Sequence, residues 1–168
     1  MKRLFFIGIC FLSLVAGCGK KIKSLFDESM PLAIATEDWQ RAIDQCDSVL
    51  NANPKDYKAL FWRGYAEGHI AHYDVAMTNF TEAIALKPDM QVAYHWRGFV
   101  KLRLFDHRGA IRDFSKALEL NAKDGEAYRG RGEAEIALGQ KENACEDFSK
   151  AGELGSGMAY NDIKQYCQ

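Results

Sequence analysis

The sequence predicts an all-α fold built from repeated antiparallel helix pairs, and three observations predict it. Residues of one type recur at a fixed interval of 34 positions through most of the chain, the mark of a repeat architecture. Within each interval the apolar residues recur at helical spacing rather than in the alternation of a strand. The 168 residues include only three prolines, which leaves long stretches free of the residue that breaks helices. That length suits one domain of ordinary size. The formal net charge of −1 offers no bulk attraction to a polyanion, so no nucleic-acid partner is expected.

The N-terminus stands apart from the repeats. Lys2 and Arg3 form a short positive start, and residues 4–16 are almost wholly apolar. That run is too short for a permanent span, which needs ~20 residues, and has the length of a signal-peptide core. Val15-Ala16-Gly17-Cys18 follows. Small residues before a cysteine let a peptidase reach the backbone, and the thiol then supplies a nucleophile for a lipid. The segment resembles the lipobox of bacterial lipoproteins; an ordinary secretory signal or an uncleaved apolar start is the alternative. The resemblance implies a signal peptide over 1–17, acylation of Cys18, and an anchor and tether over 18–23. More than one acyl chain would hold the protein stably on a membrane. Lys20, Lys21 and Lys23 either touch anionic headgroups or form a solvated linker. The expected location is the cell envelope. For a Gram-negative source, the absence of an acid at residue 19 favours the outer membrane, facing the periplasm.

The repeat itself is read in columns. Gly64, Gly98 and Gly132 are one interval apart, as are Ala76, Ala110 and Ala144; Phe80, Phe114 and Phe148; and Ala83, Ala117 and Ala151. Leu60, Tyr94 and Tyr128 occupy one further equivalent place. In the first clear copy, residues 59–70 read as one helix and 76–86 as a second. The glycine and alanine columns are small where two backbones must meet, and the phenylalanine fills the shared core. A helix-interior glycine costs ~1 kcal/mol relative to alanine, so its recurrence implies a steric demand. Pro88 stands past the second helix, where it cannot extend it.

This pattern resembles the tetratricopeptide repeat. The resemblance implies a right-handed superhelix of antiparallel helix pairs over 24–168, with repeats at 57–90, 91–124 and 125–158. Two copies depart from the pattern: Ala122 replaces the proline in the second, and Gly155-Ser156-Gly157 ends the third. A degenerate copy at 23–56 keeps Trp39, Ala42, Cys46, Val49 and Pro54 in register. Its second helix is expected over 37–50. Pro31 breaks the first into 25–30 and 31–35. A capping segment at 159–168, helical over 159–166, covers the last repeat.

Arg63, Arg97 and Arg131 each precede a column glycine, and Asp113 and Asp147 stand sixteen residues after the latter two. In a helical hairpin these places face each other. Arg97–Asp113 and Arg131–Asp147 are therefore expected as structural ion pairs between helices. Asn79 stands in for the acid in the first copy.

No catalytic motif, phosphate loop or metal-ligand cluster accompanies the four histidines. The expectation is a non-enzyme without cofactor or metal. Cys46 stands in the phenylalanine column and reads as a small buried hydrophobe. Cys145 lies in the last repeat and Cys167 in the cap that packs on it. A disulfide between them, or a pair of free thiols, both remain open.

In the family, the first helix of each repeat lines the concave side. The resemblance implies a partner-binding face at Phe61, Tyr65, His69, His95, Phe99, Arg103, Arg129 and Glu133, with Trp62 and Trp96 beside it. Family members that bind chaperones clamp a C-terminal carboxylate with lysines and asparagines. The matching places here are Phe61, Tyr65, Trp96, Glu126 and Gly130, so that clamp is absent. The expected function is a protein-interaction scaffold or assembly factor at the envelope, with a protein or peptide partner and a membrane contact through the lipid. The alternative is a structural or trafficking subunit, docked permanently through its convex face and cap.

Overall fold

The computed structural model describes residues 33–168. The expected signal peptide, Cys18, the expected tether and most of the first helix expected for the degenerate repeat lie outside the described residues. Residues 33–35 form one helical turn. Eight helices follow among the described residues: α1 (Trp39–Ala52), α2 (Tyr57–His69), α3 (Tyr73–Leu86), α4 (Gln91–Arg103), α5 (His107–Leu120), α6 (Gly125–Ala137), α7 (Lys141–Glu153) and α8 (Ala159–Tyr166). α2–α3, α4–α5 and α6–α7 are the three hairpins, α1 packs on α2, and α8 packs on α7. None of these helices is long and apolar enough to cross a membrane.

The columns explain why the hairpins close. Phe80, Phe114 and Phe148 are each 1 % exposed, and the alanines of both columns are fully buried. A Cβ on Gly64 or Gly98 would lie 3.1 Å from the ring of Phe80 or Phe114, and one on Gly132 would lie 2.7 Å from Phe148 Cε1. Each glycine therefore makes room for the phenylalanine of its own hairpin. Cys46 takes the same place in the degenerate repeat and is fully buried; burial, reinforced by Asp47, pushes its thiol up to about 12.

Aspartates start most of the helices. Asp38, Asp56, Asp106 and Asp124 each accept a backbone N–H of the helix that follows, satisfying one of its free donors. The first helix of each hairpin is followed by a left-handed residue, Ala71, Phe105 or Gly139, and Glu37 holds the same place before α1, with φ between 53° and 74°. The next backbone N–H then bonds five residues back, as Asp106 does to Lys101. This is the Schellman closure, and it corrects two expected boundaries. Glu37 belongs to this turn, not to α1, which starts at Trp39 after its Asp38 cap. The second helix of the first copy begins at Tyr73 rather than at Ala76, because the turn is spent by His72.

The arginine column stitches successive hairpins. Arg97 meets Asp113 through Nε and Nη2, both at 2.8 Å, and reaches back to Thr81 at 3.2 Å. Arg131 meets Asp147 at 2.7 and 2.8 Å and Ser115 at 3.1 Å. Arg63 holds Asn79 at 2.7 Å and Asp47 at 2.9 Å. Each guanidinium thus binds the second helix of its own repeat and that of the repeat before. A disulfide joins Cys145 to Cys167, tying α8 to α7.

Candidate functional site

The first helices α2, α4 and α6 line one side of the array, where two cavities adjoin. One, of about 550 Å³, is bounded by His69, Trp96, Phe99, Arg103, Asp124 and Arg129, among others. The second, of about 670 Å³, is bounded by Phe61, Trp62, Tyr65, Met90, Val92 and Trp96, with Lys58 and Lys87 also on its wall. Trp96 belongs to both walls and stands as the ridge between them.

A continuous run of rings forms the floor. His69 stacks on Trp39 with centroids 4.1 Å apart, Tyr65 packs on His69 at 4.5 Å, and Trp96 meets Tyr65 edge-on at 4.7 Å. Phe99 follows at 5.8 Å, and the Arg103 guanidinium lies 5.0 Å above it. This geometry follows from the helical period. Residues four apart share a face, which places Phe61, Tyr65 and His69 above one another on α2, and His95, Phe99 and Arg103 on α4. Burial lowers the His69 imidazole below its ordinary value, against the pull of Glu37. Stacked on Trp39, the ring presents a flat aromatic surface. Burial raises the Tyr65 phenol.

The far end of the first cavity is polar, and its charged groups pair with one another. His95 Nδ1 lies 2.9 Å from Asp124, which also accepts from Gln91 and from the Ala127 N–H. Burial raises the Asp124 carboxyl, but these partners, His95 foremost, outweigh it and hold it below the usual range. Arg129 is 2.9 Å from Glu126, 3.6 Å from Glu133 and 3.9 Å from Asp162. The Ser156 hydroxyl donates to Glu126 at 2.6 Å. The Glu126 carboxyl is accordingly lowered, although burial opposes this.

The eight residues placed on this face by sequence therefore separate into groups. His69, Arg103 and Glu133 are exposed, and Phe99 is half-buried in the floor. Tyr65 is wedged between His69 and Trp96. Phe61 is 5 % exposed, so it forms wall rather than a projecting contact. His95 and Arg129 already hold carboxylates. Sequence reading missed Trp39 and Asp124, whose roles arise from neighbouring repeats and carry no signal in one helix's spacing. Among the described residues no group of His, Cys, Asp or Glu side chains is placed to hold a metal ion.

The comparisons agree with this architecture. Residues 100–159 match the family model for the tetratricopeptide repeat. No curated protein matches the chain. MamA (residues 41 to its end) from Desulfovibrio magneticus RS-1 superposes with a TM-score of 0.72 at 21 % identity, over 80 % of this chain and 76 % of that one. The first repeat domain of Spaghetti (RPAP3), solved with the HSP90 peptide SRMEEVD, gives a TM-score of 0.65 at 27 % identity, over 67 % and 90 %. The Arabidopsis OM64 repeat domain gives 0.64 at 27 %, over 66 % and 93 %. The fold is that of the tetratricopeptide repeat, a right-handed superhelix of antiparallel helix pairs.

Proposed function

We propose that the chain is an envelope-anchored scaffold that holds an extended segment of a partner protein in its concave face. The observation that carries this reading is the ring floor from Trp39 to Phe99, divided by Trp96 into two chambers. Rings locked against one another lose little freedom on binding, so their burial is available as affinity. An extended chain rises ~3.3 Å per residue and points alternate side chains the same way. Two large apolar side chains separated by one position therefore straddle the Trp96 ridge, one in each chamber. The neighbour solved with an HSP90 peptide supports peptide holding by this fold. Its ligand class is not carried over, because Phe61, Tyr65, Trp96, Glu126 and Gly130 occupy the places where carboxylate-clamping members carry lysines and asparagines.

The lipobox-like Val15-Ala16-Gly17-Cys18 supports acylation at Cys18 and an envelope location, which the mass of the N-terminal peptide of membrane-purified protein tests directly. The groove is tested by selecting displayed peptides against the purified protein. Enriched peptides should carry two large apolar residues with one residue between them. They should lose at least tenfold in affinity on Trp96→Ala or Phe99→Ala, with helicity unchanged by circular dichroism. Equal binding to wild type and both variants would overturn the reading.

A further inference from the structure

The turn between α4 and α5 carries a feature the groove does not use. The Schellman closure demands a left-handed residue at its centre, where glycine is favoured because a Cβ is strained. The equivalent turns hold Glu37, Ala71 and Gly139, whereas this one holds Phe105 at φ 60°. A bulky side chain in that region is an outlier. Phe105 is also 81 % exposed, the most of any large apolar side chain among the described residues, and Leu104 beside it is 40 % exposed. Phe105 is therefore mostly outside the core, and Leu104 is only partly covered.

Three arginines flank this tip in the chain. Arg103 lies on the groove side, its guanidinium over Phe99. Arg108 and Arg112 are exposed one turn apart on α5, and neither has an ion-pair partner among the described residues. Asp106 is the nearby acid, and its carboxylate is turned back to cap α5 through the Gly109 N–H at 2.9 Å. His107 packs edge-on to Phe105, with ring centroids 6.2 Å apart.

We propose that the Phe105 tip is a membrane-contact site: Leu104 and Phe105 enter the interface of an anionic bilayer, and Arg103, Arg108 and Arg112 lie among its headgroups. Aromatic and basic residues together are the chemistry of that interface, and each basic residue near an anionic surface strengthens attachment about fivefold. A protein partner fits less well. The tip is a single knob, whereas a stable protein interface takes roughly 20–30 residues a side. The proposal needs neither the peptide groove nor the acyl anchor.

The test is hydrogen exchange of the full chain, purified from membranes, with phosphatidylglycerol-containing vesicles and with phosphatidylcholine vesicles. Amides of residues 104–109 should exchange at least threefold more slowly with the anionic vesicles only. The effect should vanish in Phe105→Gly and in Arg108→Ser/Arg112→Ser. Phe105→Gly should also raise the melting temperature by roughly 2–4 °C, the scale of a relieved local strain. Exchange unchanged by vesicles, equal in both lipids, or equal in the variants would overturn the proposal. So would a fall in melting temperature for Phe105→Gly, which would make Phe105 a packing residue. Protection of 104–109 by an envelope protein but not by vesicles would assign the tip to a protein instead. The mass of the Cys18 peptide, read on the same sample, reports the anchor separately.

Discussion

Replacing Glu135 by glutamine should stabilise the protein at neutral and alkaline pH and do little in acid. Glu135 is 7 % exposed, and its Oε2 is buried without a hydrogen-bond partner. The equivalent residues in the two earlier hairpins are both satisfied. Lys101 meets Asp113 at 2.7 Å, and Glu67 meets His72 Nδ1 at 2.8 Å. Glu135 instead faces the acid Asp147. Burial first, then Asp147, push its carboxyl from 4.5 to about 7, with Arg131 opposing. A carboxyl raised in the folded state holds a proton there that the unfolded chain has lost. Its contribution is therefore fully present below about pH 4.5 and is lost as pH rises through about 7. At 1.36 kcal/mol per unit, the loss by about pH 8 is at most about 3 kcal/mol. Urea unfolding of wild type and Glu135→Gln, between about pH 5 and pH 8, isolates this effect because the other groups are common to both. The stability difference should widen by about 2–3 kcal/mol in favour of the variant as pH rises. Glu135→Lys should gain as well, since it would meet Asp147 as Lys101 meets Asp113. Stability curves that run parallel across the range would refute the reasoning.

Three further outcomes follow from the packing. Asp113→Ala strands Arg97 and Lys101, both half-buried against it. It should cost about 3–5 kcal/mol in urea unfolding, and Asp113→Asn less, because Asn79 already serves Arg63 at the equivalent place. Gly132→Ala puts a Cβ 2.7 Å from Phe148 Cε1 and 3.1 Å from the Ala144 carbonyl oxygen. The expected cost is about 1–3 kcal/mol, read as a lower urea midpoint at unchanged slope. Reducing the Cys145–Cys167 bridge reopens a loop of sequence separation 22. It should remove about 3 kcal/mol on the chain-entropy model, and Cys145→Ser should show the same loss without reductant.

The hairpins were legible in the sequence because their contacts are internal to one repeat and recur. Gly98 and Phe114 report each other: a side chain on the first would occupy the ring of the second. The arginine column was legible for the same reason, since Arg97 and Asp113 keep a fixed spacing within the hairpin. Contacts between repeats that occur once, rather than in every copy, leave no such mark. Gly130 stands in no column, yet a Cβ there would lie 2.5 Å from Phe114 Cζ of the preceding hairpin. His95 joins Asp124 across 29 residues, so its engagement could not be read from the face it shares with Phe99. The stepping of residues by four found the groove's walls. It could not separate side chains that are free from those, such as Arg129, already held by Glu126 and Glu133 of its own helix and by Asp162 of the cap.

The central claim is that the concave face holds a partner, and crosslinking in the living envelope tests it most directly. A photoreactive benzoyl-phenylalanine is placed at Phe99 on the groove floor in one strain, and at Glu119, exposed on α5, in another. The account predicts one discrete crosslinked species from position 99, abolished by Trp96→Ala, and none from position 119. A discrete adduct from position 119 with none from position 99 would contradict it and move the association to the convex face.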